Sequence, residues 1–148
     1  MYAGLSWKTL PVLVLTIVAA GALAYSGAPS CGVTNFDDNW QVVDNPLVSQ
    51  ASWSNVKLII TSPYHGLYLP VKLLSYMCDY AVYGFLGVDI VRGVHLTNVI
   101  IHLVNSILVA FLCSVAVADL SGGRIGREGI FFVGLFSGVL FVLHPVHV

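Results

Sequence analysis

The chain has 148 residues, of which 57% are apolar and only 9% are charged, and its net charge is −1. Soluble domains carry about 25% charged residues, and the mean hydropathy here is +0.88. This composition argues against a water-soluble domain, and the lack of any basic run argues against a nucleic-acid partner. We therefore predict an all-α integral membrane protein.

Three apolar segments predict three transmembrane helices, over residues 1–25, 94–118 and 130–148. Each has about the 20 apolar residues that a spanning helix needs. Thr9 can cap the first helix, and Pro11 falls in its first turn, where a missing N–H is tolerated. The first segment is also compatible with a cleaved signal peptide, because Lys8 precedes a short apolar run and Ala22-Leu23-Ala24 resembles a cleavage site with small residues at its first and third positions.

The few cations set the predicted topology. Arg124 and Arg127 lie in the short loop 119–129, which the positive-inside rule places in the cytoplasm. The N-terminus is then cytoplasmic, and residues 26–93 lie outside, in the periplasm of a bacterial inner membrane or the lumen of the endoplasmic reticulum. Cys31 and Cys78 share this oxidising compartment, where they can pair or remain free thiols.

Residues 26–93 are too long and too patterned for a simple connection. Apolar spacing predicts one helix over about residues 46–60 and a second over 70–86. Five tyrosines lie between residues 64 and 83 of this loop, and such a density of tyrosine is typical of the lipid headgroup zone. We predict two short interfacial helices on the outer membrane surface, with a small folded extracellular cap as the alternative.

Polar side chains form a stripe on the second predicted transmembrane helix. At 100° per residue they fall within an arc of about 100°, so they should face protein or a wet cavity rather than lipid. Hydrogen bonding between helices is the simpler interpretation. His95 differs because it lies at the outer end of the helix, level with the loop. The stripe consists of His95, Asn98, His102, Asn105 and Ser106.

Two further motifs carry ionisable groups on the predicted outer face. Asp37 and Asp38 adjoin aromatic residues and are either a solvated turn or a carboxylate pair in which one member acts as a general base. His144 and His147 have the i, i+3 spacing of a shared metal site, but no third ligand lies nearby, so we predict no metal. Topology brings these four residues and His95 to one membrane face.

The motifs together resemble a known family. They are Phe36-Asp37-Asp38, Asn45-Pro46, Tyr68-x-Pro70, Leu74-Ser75-Tyr76 with Asp79-Tyr80, His95-Leu-x-Asn98-x-x-x-His102-x-x-Asn105, and Leu143-His-Pro-Val-His147. This set resembles the N-terminal membrane region of C-type-fold glycosyltransferases. The nearest relatives look like the tetratricopeptide-repeat-containing membrane O-mannosyltransferase-like proteins.

The resemblance implies a lipid-phosphate-linked sugar donor, no other cofactor, and transfer of the sugar to protein hydroxyls on the outer face. It implies that Asp37 or Asp38 is the catalytic base. The candidate substrate-pocket residues are His95, His144, His147 and Asn45.

The second hypothesis is a non-catalytic membrane subunit derived from that fold and held in a larger membrane complex. Leu69 stands where the family usually has an arginine, and such enzymes have more than three spanning helices. Either hypothesis implies contact with membrane lipid and with other membrane subunits or further helices.

Overall fold

A computed structural model describes residues 8–33 and 37–144. Over these residues the fold is helical and contains no β-strand, which confirms the predicted all-α class. The helices are α1 (Leu10–Ala24), α2 (Pro46–Ser49), α3 (Trp53–Thr61), α4 (Pro70–Leu86), α5 (Ile90–Leu120) and α6 (Arg127–Leu143), with a 3₁₀ turn at Ala28–Ser30 and a π-helical turn at Asn39–Val43. The chain divides into two compact units. We call Met1–Ser26 with Asn98–Val148 the bundle unit, and Gly27–Thr97 the loop unit.

Two stretches of the described chain are long and apolar enough to cross a membrane, namely Leu10–Ser30 and Ile90–Leu120. The second begins before the predicted residue 94, because Asp89 Oδ1 accepts a hydrogen bond from the Arg92 amide at 3.1 Å and so caps α5. The third predicted span corresponds to α6, which has 17 residues and is about 25 Å long. A third crossing stays a prediction, and residues 145–148 lie outside the described chain.

The bundle unit is held together by small residues that bring backbones close. On α6, a Cβ added at Gly134 would meet Ser114 Oγ and would lie 3.0 Å from the Ala110 carbonyl oxygen of α5. A Cβ at Gly138 would lie 2.5 Å from Ile17 Cδ1 of α1 and 2.9 Å from Ala110 Cβ. Two glycines four residues apart commonly form a contact surface between membrane helices.

The loop unit has a hydrophobic core of its own, formed by buried Val48, Ile59, Leu73 and Met77. Its first predicted helix, over residues 46–60, is divided into α2 and α3. The division occurs because Gln50 and Ser52 are extended and the Ser52 hydroxyl caps a new helix by accepting the Asn55 amide at 3.2 Å. The region therefore has three helices rather than the two predicted, and lipid contact of these helices stays a prediction.

Candidate functional site

Asp37 and Asp38 begin a compact turn, residues 37–45, which we call the acidic segment. Both side chains are half-buried. The Gln41 amide donates to the Asp37 carbonyl at 3.0 Å, and the Asp44 amide donates to the Asn39 carbonyl at 2.7 Å. The two carboxylates therefore stand at the start of a hydrogen-bonded turn rather than on an open loop.

Two side chains, half-buried Tyr80 and buried Asn45, fix the acidic segment to the rest of the loop unit. The Tyr80 hydroxyl on α4 donates to the Val42 carbonyl at 2.9 Å. Asn45 is only 1% exposed. Its amide nitrogen donates to the Gln41 carbonyl at 3.0 Å, while its side-chain oxygen accepts the Leu47 amide at 2.9 Å and caps α2. Asn45 thus holds the end of the acidic segment against α2, and its place in a substrate pocket stays a prediction.

Tyr76 on α4 lies in the electrostatic field of three carboxylates. Burial raises the pKa of the Tyr76 phenol, and the charges of Asp38, Asp79 and Asp37 raise it further, in that order. The phenol therefore keeps its proton at neutral pH and can act as a hydrogen-bond donor toward an oxygen in this region.

Asp79 is the most enclosed of these carboxyl groups, with 6% exposure. Its Oδ1 accepts a hydrogen bond from the Thr97 hydroxyl of α5 at 2.7 Å. The Tyr83 hydroxyl lies 3.0 Å from Thr97 Oγ1, and since the Thr97 proton points to Asp79, Tyr83 is the donor. Burial raises the pKa of Asp79, and the Thr97 hydrogen bond partly opposes that rise.

An aromatic cluster forms around Trp40 of the acidic segment. The Trp40 ring stacks on Tyr64 with centroids 6.1 Å apart and lies 5.0 Å from the His65 ring. His65 (φ 48°) and Gly66 (φ 78°) form a tight turn that brings these rings together. Burial and the charge of Asp44 raise the pKa of Tyr64, which places another carboxylate near this cluster. Sequence analysis missed this arrangement, although the His65-Gly66 pair is a turn signal.

Two buried polar atoms of the loop unit have no hydrogen-bond partner in the described chain. They are Gln41 Oε1 and His95 Nε2. Most buried polar groups in proteins are paired, so such atoms are available to a ligand. His95, predicted to stand apart from the rest of its stripe, is half-buried in the loop unit.

The deeper part of the predicted polar stripe divides between two environments. His102 and Ser106 are buried in the bundle unit, whereas Asn98 and Asn105 are exposed. His102 Nε2 lies 3.2 Å from the Val142 carbonyl, which also accepts the Tyr25 hydroxyl at 2.6 Å. Because a carbonyl only accepts, Nε2 carries the proton. His102 therefore joins α5 to α6, as the interpretation of hydrogen bonding between helices predicted.

The predicted site residues are thus distributed over both units. Asp37, Asp38 and His95 belong to the loop unit, whereas His144 is exposed at the end of α6 in the bundle unit. His147 lies outside the described residues. A shared pocket for the carboxylates and the terminal histidines stays a prediction.

No group of three or more His, Cys, Asp or Glu side chains among the described residues could hold a metal ion. Cys31 and Cys78, the pair that sequence analysis left open, are both exposed free thiols. Comparisons of the chain with protein-family models, with curated proteins and with solved structures find no match. A functional hypothesis therefore depends on the acidic segment and its neighbours, together with the motifs in the sequence.

Proposed function

We propose that this chain is part of a membrane glycosyltransferase-like protein, which takes a sugar from a lipid-phosphate donor and transfers it to a protein hydroxyl on the outer face of the membrane. The observation that carries the proposal is the acidic segment. Its two half-buried carboxylates, Asp37 and Asp38, are anchored by Tyr80 and Asn45 on a folded scaffold.

The chemistry needs one positioned base. In our proposal Asp38 or Asp37 accepts the proton of the acceptor hydroxyl as its oxygen attacks the anomeric carbon of the sugar. The new C–O bond forms on one face while the bond to the lipid phosphate breaks on the other. The electron pair leaves with the phosphate, and the anomeric configuration inverts.

Three other groups of the loop unit have the chemistry of a sugar-binding surface. Trp40 lies within the acidic segment and is half-buried, and the ring face not stacked on Tyr64 suits the apolar side of a pyranose. The protonated phenol of Tyr76 and the unpaired His95 Nε2 can bond to hydroxyl or phosphate oxygens. These groups could orient the sugar while a carboxylate acts on the acceptor.

A lipid-linked donor requires the site to lie at a membrane surface. Two stretches long and apolar enough to span a membrane support this, and one of them, α5, contributes both Thr97 and His95. The first two turns of α5 would then stand at the outer surface, where a lipid phosphate lies.

The test is transfer of labelled sugar from a lipid-phosphate donor to a serine- or threonine-containing acceptor, in membranes that contain the protein. We compare wild type with Asp38→Asn, Asp37→Asn and the control Asp44→Asn, in which an exposed carboxylate of the same segment is removed. Loss of the base should lower the rate about 10²- to 10⁴-fold. If all three variants transfer sugar at the wild-type rate, the carboxylates have no part in the reaction.

A non-catalytic membrane subunit is the second candidate. Large apolar side chains on the loop unit are left uncovered, with Trp53 82%, Val71 81% and Phe85 90% exposed. Surfaces of this kind are typical of contact with lipid or with another protein. Purification in mild detergent distinguishes the two candidate functions. If a stoichiometric partner stays bound and the complex transfers no sugar, the membrane-subunit function is favoured.

A further inference from the structure

The bundle unit contains a cleft that the proposed function does not use. It has a volume of about 400 Å³ and lies where α1 and α6 begin. Its lining residues are Thr9, Arg127, Glu128, Phe131 and Phe132. The cleft thus has a charged rim and an aromatic wall, and all of its lining residues belong to the bundle unit.

The rim of the cleft favours a single negative charge. The exposed Arg127 guanidinium has no hydrogen-bond or ion-pair partner among the described residues. Gly126 provides no side-chain cap for α6, so the amides of its first turn remain donors at the positive end of the helix. Glu128 on the same rim opposes a doubly charged ligand, which favours a phosphate diester over free phosphate.

An apolar track leads away from this rim along α6. Phe132, Phe136 and Leu140 are 64%, 69% and 55% exposed, and they follow one another at intervals of four residues. Residues at this spacing form one stripe on a helix. A ligand with a phosphate at the cleft could therefore lay a hydrocarbon chain along the stripe, which a free phosphate could not do.

We propose that this cleft binds the headgroup phosphate of an anionic phospholipid, whose acyl chain lies along Phe132 and Phe136. Cationic side chains between membrane helices are known to bind the headgroups of acidic lipids, and Arg127 supplies that cation here. The inference requires the bundle unit to be in a membrane, but it does not depend on sugar transfer. The two proposals can therefore fail separately.

The experiment measures bound lipid by native mass spectrometry of the detergent-solubilised protein, titrated with phosphatidylglycerol or with phosphatidylcholine of the same acyl chains. Arg127→Gln is the test variant. Arg124→Gln is the matched control, because it removes the same charge from the same connection between α5 and α6 but does not line the cleft. We expect wild type and Arg124→Gln to prefer phosphatidylglycerol, and Arg127→Gln to bind it about fivefold more weakly.

Two further arms distinguish a lipid from other phosphate sources. Inorganic phosphate at millimolar concentration should not displace the lipid, and Phe132→Ala, a change at an exposed side chain, should weaken phosphatidylglycerol binding through lost acyl contact. If Arg124→Gln and Arg127→Gln lose phosphatidylglycerol affinity equally, the effect comes from the overall charge of the loop, and the proposal is overturned. Displacement by inorganic phosphate, or no preference for the anionic lipid in wild type, would overturn it as well.

Discussion

Replacing Tyr80 by phenylalanine should loosen the acidic segment without disturbing the rest of the loop unit. The hydroxyl donates to the Val42 carbonyl at 2.9 Å and lies 3.3 Å from the Val43 carbonyl. Val42 is 3% exposed, so water cannot easily replace the lost donor. Leaving a buried carbonyl unpaired costs about 1–3 kcal/mol, and a cost of about 1–2 kcal/mol corresponds to a 5- to 30-fold change in an opening equilibrium.

Hydrogen exchange of backbone amides, resolved by peptide, measures this change directly. The amides of Gln41 and Asp44 are protected inside the acidic segment by bonds to Asp37 and Asn39. In Tyr80→Phe we expect exchange over residues 37–47 to be about 5- to 30-fold faster, since exchange follows the population of the open form.

Tyr68→Phe is the control for this prediction. Its hydroxyl makes the same kind of bond, to the Ile60 carbonyl at 2.7 Å, but Tyr68 is 60% exposed and does not touch the acidic segment. Exchange in the control should change only near residues 58–68. Unchanged exchange over residues 37–47 in Tyr80→Phe, or an equal change in both variants, would refute the reasoning that α4 holds the carboxylates in place.

Two further predictions concern packing and pH. Gly134→Ala should destabilise the bundle unit by about 1–3 kcal/mol in detergent unfolding, because the new methyl meets the backbone oxygen of Ala110 at 3.0 Å. Gly84→Ala, inside α4 with nothing within 4 Å, should instead stabilise by about 0.5–1 kcal/mol; destabilisation by both would mean that close packing is not the cause. Asp79→Asn should be more stable than wild type at neutral pH, because burial raises the pKa of Asp79 above its ordinary value of 3.8 and the charged form therefore costs stability, in full above the raised pKa. This advantage should shrink as pH falls toward 3.8, and an advantage independent of pH would show that the charge of Asp79 is not responsible.

Helix starts could be predicted from the sequence because their causes are local. Pro46 and Pro70 each stand at the first position of a helix, where the fixed proline φ suits the turn. The break between α2 and α3 could not be predicted from apolar spacing, because the spacing stays in phase across it. The break is stabilised instead by a side-chain hydrogen bond across the connection, in which Asn55 Nδ2 donates to the Gln50 carbonyl at 3.0 Å.

Only some residues of the candidate site could be predicted from the sequence. Asp37 and Asp38 could be identified by their aromatic setting, but the contact between Asp79 and Thr97 joins two helices and depends on how they pack. Periodicity likewise placed His102 and Asn105 on one arc. Only packing decides that His102 is covered by α6 while Asn105 remains exposed.

The polar groups of the two units are used in different ways, and this bears on where chemistry can occur. In the bundle unit, His102 Nε2 lies 3.2 Å from the Val142 carbonyl and the Ser114 hydroxyl donates to the Ile130 carbonyl at 3.4 Å, so these side chains join α5 to α6. In the loop unit, Gln41 Oε1 and His95 Nε2 are buried without a partner in the described chain. A protein gains no stability from leaving such atoms unpaired, since each costs about 1–3 kcal/mol. We infer that these atoms serve ligand binding, so a bound sugar should be sought in the loop unit, whereas the phosphate expected in the bundle unit is the phospholipid headgroup at the Arg127 cleft.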